Sequence, residues 1–349
     1  MTTAAPPSTA VPKKGGGHPG RENAEANRRR RTRGAYLLLL PTIVVMALVV
    51  GYPIVLSVIN SFQTNSSGID PKTGMVTAGG FVGFENYLHW ILQRCKTTTG
   101  GYAACAPGNL GNSFWPAAFQ TFFFTVATVI PETLIGTWMA IIMNRNFRGR
   151  GILRAAVLVP WAIPTAVTAQ LWAFMFASSG IVNKVFNLNT IWGSDLWASR
   201  FAIVIADTWK TTPFMALLIL AGLQLIPEDV YEAARMDGAS TVQQFVRITV
   251  PLLKPALVVA ILFRTLDALR MYDLPAILTH GGGGRGDATT TLSMLVVDQL
   301  GGTNSQDIAS ALSTITFILI FAVAFIFIRL LGANVTGSEK KSRKVANEL

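Results

Sequence analysis

The chain has 349 residues; 51% belong to the apolar set AVILMFWYC and 13% are charged, about half the charge of an ordinary soluble domain. Lysine and arginine number 29 against 18 acidic residues, a formal net charge of +11. These values argue against a soluble enzyme, a disordered chain and a disulfide scaffold, and point to a polytopic membrane protein. The basic residues sit in short segments between long apolar runs, a pattern of membrane orientation rather than of nucleic-acid binding.

Residues 1–34 are rich in Pro, Gly, Ala and Arg and end in Arg28-Arg29-Arg30-Arg31-Thr32-Arg33-Gly34. Nothing there can build a core, so a largely disordered cytosolic tail is expected. The next apolar run is too long for a signal h-region and lacks a cleavage site followed by a soluble domain. Six stretches then approach the ~20 apolar residues that a membrane helix needs. They are Ala35–Ile59, Ala117–Ile142, Ala155–Ala177, Phe201–Leu223, Leu252–Tyr272 and Ile308–Ile328. Lipid tolerates no unpaired backbone and no barrel alternation is visible, so the fold expected is all-α, with six transmembrane helices over 35–331.

Twenty Lys and Arg fall in the N-terminal tail, the second-to-third and fourth-to-fifth connections and the C-terminal end, against six in the opposite connections. The positive-inside rule therefore predicts a cell-membrane protein with both termini cytosolic, including the tail 332–349. The loop 60–116 is then extracytoplasmic. It holds both cysteines, Cys95 and Cys105, for which a disulfide and two free thiols are the alternatives. The last outside loop carries Gly281-Gly282-Gly283-Gly284, which no Lys-Ser/Thr pair completes into a P-loop.

The segment 226–251 is more than a short loop. Pro227 can start a helix whose positive end suits Glu228 and Asp229. Gly238 permits a turn, and Ser240 can cap a second helix with a stripe of Val242, Phe245, Val246 and Thr249. The expectation is two short amphipathic helices on the cytosolic face, a docking knob for a partner; a helix lying on the membrane is the plainer alternative.

Glu232-Ala233-Ala234, three residues, Gly238, nine residues, Ile248, one residue and Val250-Pro251 resemble the EAA loop of binding-protein-dependent ABC importer permeases. Val250 stands where that family usually has Leu. The resemblance covers roughly Tyr36–Leu331 and is nearest the MalF/UgpA branch of sugar permeases. It is carried also by Pro160-Trp-Ala-Ile-Pro164, Asp207-Thr-Trp-Lys-Thr-Thr-Pro-Phe214 and Leu262-Phe-Arg-Thr-Leu-Asp-Ala-Leu-Arg-Met-Tyr-Asp273. Within the branch the mycobacterial trehalose-importer type is the nearest likeness. The cysteine-bearing loop and the long basic tail depart from it.

The resemblance implies the type I ABC importer permease fold and an ATPase-docking loop of Glu228, Tyr231, Glu232, Ala233, Ala234, Asp237, Gly238, Ala239 and Pro251. Glu232 would meet a basic group of the ATPase. Implied partners are a second homologous permease subunit, two cytosolic ABC ATPase subunits and an extracytoplasmic sugar-binding lipoprotein. This chain would bind no cofactor, since ATP and Mg2+ belong to the ATPase subunits, and it would catalyse nothing. Its cargo would be a sugar, with trehalose or a related disaccharide preferred.

Ionisable groups at membrane depth are expensive and face a cavity or a partner. Arg264, Asp267 and Arg270 are three apart, as are Asp207 and Lys210, so pairing within each helix is expected. Glu132 follows Pro131. Each group can line or gate a translocation path or simply bind the spans together. Trp172, Trp209 and Tyr272 can stack on a sugar or anchor at the interface. His18, His89 and His280 are scattered, and no metal site or nucleophile arrangement is evident. Rival readings are an ion-coupled secondary transporter, which needs internal repeats or broken paired helices, a membrane scaffold or receptor, and a permease for another oligosaccharide or a glycerol-phosphate-type substrate.

Overall fold

The computed structural model describes residues 32, 36–64, 68–69, 76–77, 79–97, 101–279, 288–302 and 305–331. The run Gly281–Gly284, His18, His280, nearly all of the N-terminal tail and the tail 332–349 lie outside them.

Apolar runs that must hide their own backbone polar groups become helices. The first, α1 (Tyr36–Ser61), is apolar throughout and contains one widened turn at Ala47–Gly51. The chain divides into a unit ending at Leu56 and a second from Ser57 to Leu349. Almost every described side chain of the first unit is exposed, as suits a helix solvated by lipid.

In the second unit, α2 (Glu85–Ile91) follows two short strands, β1 (Gly68–Ile69) and β2 (Val76–Thr77), which pair antiparallel. Next come β3 (Arg94–Lys96) and β4 (Tyr102–Ala104), also antiparallel with Cys95 opposite Ala103. The helices that follow are α3 (Phe114–Asn144), α4 (Arg150–Ala162), α5 (Thr165–Met175), α6 (Ile181–Val185) and α7 (Leu196–Leu223). Then come α8 (Glu228–Met236), α9 (Thr241–Ala268), α10 (Asp273–Leu278), α11 (Leu292–Gly302) and α12 (Gln306–Leu331). The protein is thus an all-α polytopic membrane protein, with five helices among the described residues long and apolar enough to span and a sixth span if α4 and α5 count as one.

Small residues let α3 and α7 pack along their lengths. A Cβ added to Gly136 of α3 would lie 3.0 Å from the Met215 Cβ and 3.2 Å from the Ala216 nitrogen. Gly222 likewise admits α9, where an added Cβ would strike the Ala256 methyl. One apolar cluster includes Phe124, Ala206 and Met271; another includes Ala140, Met215 and Ala260. A third holds down the helix α2: Trp90 is fully buried among Phe114, Leu292 and Leu312, and its Nε1 donates to the Ile308 carbonyl at 2.8 Å.

Three expectations change. The third span, expected as one helix over Ala155–Ala177, is broken: α4 and α5 meet at 89°. Ile163 is extended (ψ 133°) and Pro164 offers no N–H, so the helix cannot continue through them. The second amphipathic helix does not stop at Pro251 but runs on as the fifth span, α9. A widened turn at Phe245–Thr249, in which the Val250 N–H bonds to the Phe245 carbonyl, carries the helix past the proline. That span then ends at Ala268, not Tyr272. The short apolar helix α11 had no sequence expectation.

Candidate functional site

Three spans place buried charge at one level. Thr128 and Glu132 lie on one face of α3, Asp207 and Thr211 on one face of α7, and Arg264 and Asp267 on one face of α9, all at helical spacing. Arg264, 2% exposed, meets Glu132, 0% exposed, through Nε to Oε2 at 2.5 Å and Nη2 to Oε1 at 3.0 Å. Its Nη2 also donates to Asp207 Oδ2 and its Nη1 to Asp267 Oδ2, the latter at 3.1 Å. Thr211 Oγ1 donates to Glu132 Oε1 at 2.6 Å, and Arg264 Nη2 donates to Thr128 Oγ1 at 3.4 Å. A planar guanidinium with five donors can serve several carboxylates at once, which an ammonium cannot do in a fixed plane. Along α3 and α7 this layer separates the apolar cluster of Phe124 from that of Ala140.

The pairing differs from the sequence expectation. Asp207 bonds to Arg264, on another helix, rather than to Lys210. Lys210 Nζ instead donates to the Ile163 carbonyl, 2.7 Å away, at the break between α4 and α5. Among the described residues Asp267 makes an ion pair with Arg264 and none with Arg270; Arg270 is exposed beyond the end of α9.

Beside the ion cluster lies a cavity of about 130 Å³, lined by Thr165, Asp207, Lys210, Asp267, Arg270 and Tyr272 among others. The fold therefore gathers most of the candidate path residues around one polar space. It offers donors (Lys210, Arg270) and acceptors (Asp267, Thr165) for a polar ligand. Its volume is below the roughly 300 Å³ of a small-ligand pocket, so by itself it does not enclose a disaccharide-sized ligand. Trp172 and Trp209 do not line it. They contact each other edge to face at 5.8 Å, Trp172 packing with Phe176 in the apolar cluster and Trp209 lining a separate apolar groove. Sequence reading missed Thr128, Thr165 and Thr211. The signal was there for two of them, as hydroxyls four residues from Glu132 and Asp207.

At another end of this unit, α8 and the start of α9 form a helix–turn–helix. Gly238 has φ +74°; the Ala239 N–H reaches the Ala234 carbonyl at 2.9 Å and the Gly238 N–H the Arg235 carbonyl at 3.1 Å, a Schellman closure. Ser240 and Gln243 then form a reciprocal capping box. Tyr231 Oη lies 3.0 Å from Thr249 Oγ1, tying the two helices together. Ala234 is buried, whereas Glu228, Glu232, Ala233, Asp237, Gly238 and Pro251 are exposed and Tyr231 and Ala239 half-buried. Apolar Leu225, Met236 and Val242 are more than 70% exposed.

In the segment 60–116 Cys95 and Cys105 form a disulfide. Next to it is a polar cavity of about 450 Å³ that includes Glu85, His89, Tyr102 and Asp307. Burial pushes the His89 imidazole below its ordinary 6.5, against its hydrogen bond to the Arg94 carbonyl and the nearby Asp307. Partial burial, then the hydrogen bond to Glu85, pushes the Tyr102 phenol up to about 12. His89, Cys95 and Cys105 present ligand atoms within 4.8 Å of one another. With both sulfurs in the disulfide, only the imidazole remains a usable ligand.

The family described as binding-protein-dependent transport system inner membrane component matches residues 132–337. The chain is 38% identical, over 86% of its length and 94% of the relative, to the trehalose/maltose transport system permease protein MalF of Thermococcus litoralis. It is 34% identical, over 91% of its length and 94% of the relative, to the trehalose transport system permease protein SugA of Mycobacterium tuberculosis. To the sulfoquinovosyl glycerol transport system permease protein SmoG of Agrobacterium fabrum it is 35% identical, over 85% of its length and 90% of the relative. A chain in the crystal structure of a bacterial alginate ABC transporter shares the fold, with TM-score 0.68 and 18% identity over 87% of this chain and 96% of that one.

Proposed function

The chain belongs to the binding-protein-dependent transport system inner membrane component family and is the permease subunit of an ABC importer for a carbohydrate, and we propose that its cargo is trehalose or a related disaccharide moved inward by alternating access. The architecture implies a second permease subunit, ATPase subunits and an extracytoplasmic binding protein. In our reading the binding protein is a lipoprotein, and the second permease supplies the missing wall of the cavity at Lys210, Asp267 and Tyr272. The tails 1–34 and 332–349 and the segment 226–251 face the cytosol and the loop 60–116 faces outward; the distribution of Lys and Arg supports this.

The observation that carries the mechanism is the continuity of α9. One helix holds the capping-box turn at Ser240 near its start and Arg264 near its end. Docked in an ATPase groove, α8 offers Glu228, Asp229 and Glu232 to basic groups, while Leu225 before it, Met236 at its end and Val242 on α9 meet apolar ones. ATPase closure then moves the base of α9, and α9 moves the wall of the cavity that bears Asp267. Glu132, Asp207 and Arg264 hold three spans as one body during that movement.

Trehalose rests on the relatives' names, and a relative of similar identity handles a sulfoquinovosyl glycerol. The test is the ATPase activity of the assembled complex in lipid, with its binding protein, across trehalose, maltose, a sulfoquinovosyl glycerol and a glycerol phosphate. Stimulation by trehalose, abolished when 228–251 is disrupted, supports cargo and mechanism together. Stimulation by another substrate replaces the cargo. An unchanged response after the loop is disrupted refutes the mechanism.

A further inference from the structure

A groove of about 520 Å³ lies between α3, α4 and α7, lined by Pro131, Met139, Val157, Pro160, Trp209 and Pro213 among others. Its lining is almost all carbon; Thr212, one of its few hydroxyls, turns inward to the Thr208 carbonyl at 2.6 Å. Along α3 it runs from Pro131 to Met139, about 12 Å of helix rise. That is less than half the ~30 Å hydrocarbon core, so the groove has the depth of a single leaflet.

One end of this groove is strongly basic. Arg154 lies one turn before Val157 on α4, and its Nη2 donates to the carbonyl of Met143, one turn beyond Met139 on α3, at 2.8 Å. Its Nε is buried with no partner. The adjoining turn adds Arg148 and Arg150, both exposed, with Arg150 Nη1 donating to the Asn146 side-chain oxygen; Arg145 instead lines a separate cavity with Glu228. No Asp or Glu occurs between Glu132 and Asp195, and among the described residues the ion pairs all belong to Arg264. Three arginines, Arg148, Arg150 and Arg154, thus stand without an ion-paired carboxylate near the end of an apolar slot of leaflet depth. A protein helix could fill the slot but would leave those cations to be matched; a lipid phosphate answers both requirements at once.

We propose that an anionic phospholipid occupies this groove, with one acyl chain between α3, α4 and α7 and its phosphate on Arg150 and Arg154. A zwitterionic lipid of equal chain length would set an ammonium or choline against the same arginines and would bind less well.

The test is native mass spectrometry of the assembled importer released from detergent with phosphatidylglycerol or phosphatidylcholine of identical chains, alongside inorganic phosphate. The expected result is retained phosphatidylglycerol with a preference on the order of tenfold, and no retained phosphate. The double variant Arg150→Gln/Arg154→Gln should lose that preference. Val157→Phe, which narrows the slot, should lower retention of phosphatidylglycerol, and Lys254→Gln, an exposed cation on α9, should leave the preference intact. Equal retention of the two lipids by the unaltered complex overturns the proposal. So does a preference that survives the double variant, or a Val157→Cys that cross-links to another subunit while no lipid is retained.

Discussion

Lys210 Nζ sits 2.7 Å from the carbonyl oxygen of Ile163, so an ammonium on α7 satisfies the acceptor left open where α4 and α5 part. A bent span needs such a donor, because no water reaches its backbone from the lipid side. Lys210→Met should destabilise the complex by about 1–3 kcal/mol, the cost of a buried unpaired acceptor. Lys210→Arg should recover most of it. The check is the thermal aggregation midpoint of the purified complex; a Met variant as stable as the parent would remove Lys210 from this role.

Arg264 holds carboxylates from three helices, and its loss leaves Glu132 and Asp207 facing each other unpaired. Arg264→Met should cost about 3–5 kcal/mol and be seen as a collapse of the monodisperse fraction recovered from membranes. Adding Glu132→Gln and Asp207→Asn should restore part of that fraction, since a neutral layer needs no guanidinium. No recovery in the triple variant would mean that the layer is required for its charge and not only for its balance.

Gly238 has open space where a Cβ would stand, so only its φ of +74° resists substitution. Gly238→Val should cost about 1–2 kcal/mol in the turn and reduce ATP-driven uptake about fivefold to thirtyfold while membrane insertion is unchanged. Gly238→Asn should be milder, because Asn enters the left-handed region more readily. Uptake by the Val variant at the parental rate would contradict the coupling path through α8.

His89 makes the disulfide-bearing loop sensitive to acid. Its folded value lies below the ordinary 6.5. Above that pH neither the closed nor the opened loop is charged at His89, and nothing is lost. As pH falls below it, the opened loop takes up a proton that the closed one resists, and stability declines. Protection factors at β3 and β4, with exchange corrected for its intrinsic pH dependence, should fall between pH 7.5 and about 5.5, and His89→Gln should flatten that dependence.

The spans were legible because a run of twenty apolar residues has few other uses, and Gly238 and Ser240 announced the turn between α8 and α9. The break at Ile163-Pro164 was less so: each proline alone is tolerated in a membrane helix, and the geometry depends on Lys210 arriving from elsewhere. The pairing of Arg264 was hidden for a related reason. Its sequence neighbours suggested bonds within α9, whereas Glu132 and Asp207 lie far off in the chain and meet it only after three helices pack. One rule could have found them: charges on separate spans are too costly to remain apart.

The unbroken course of α9 also fixes a phase. Its 28 residues form a rod of about 42 Å, so the angle at which Ser240 is held determines the compass bearing of Arg264. One residue added between Thr249 and Arg264 would lift the guanidinium by about 1.5 Å and swing it through about 100°, away from both Glu132 and Asp207. The chain can therefore vary its side chains along this stretch far more readily than it can vary their number.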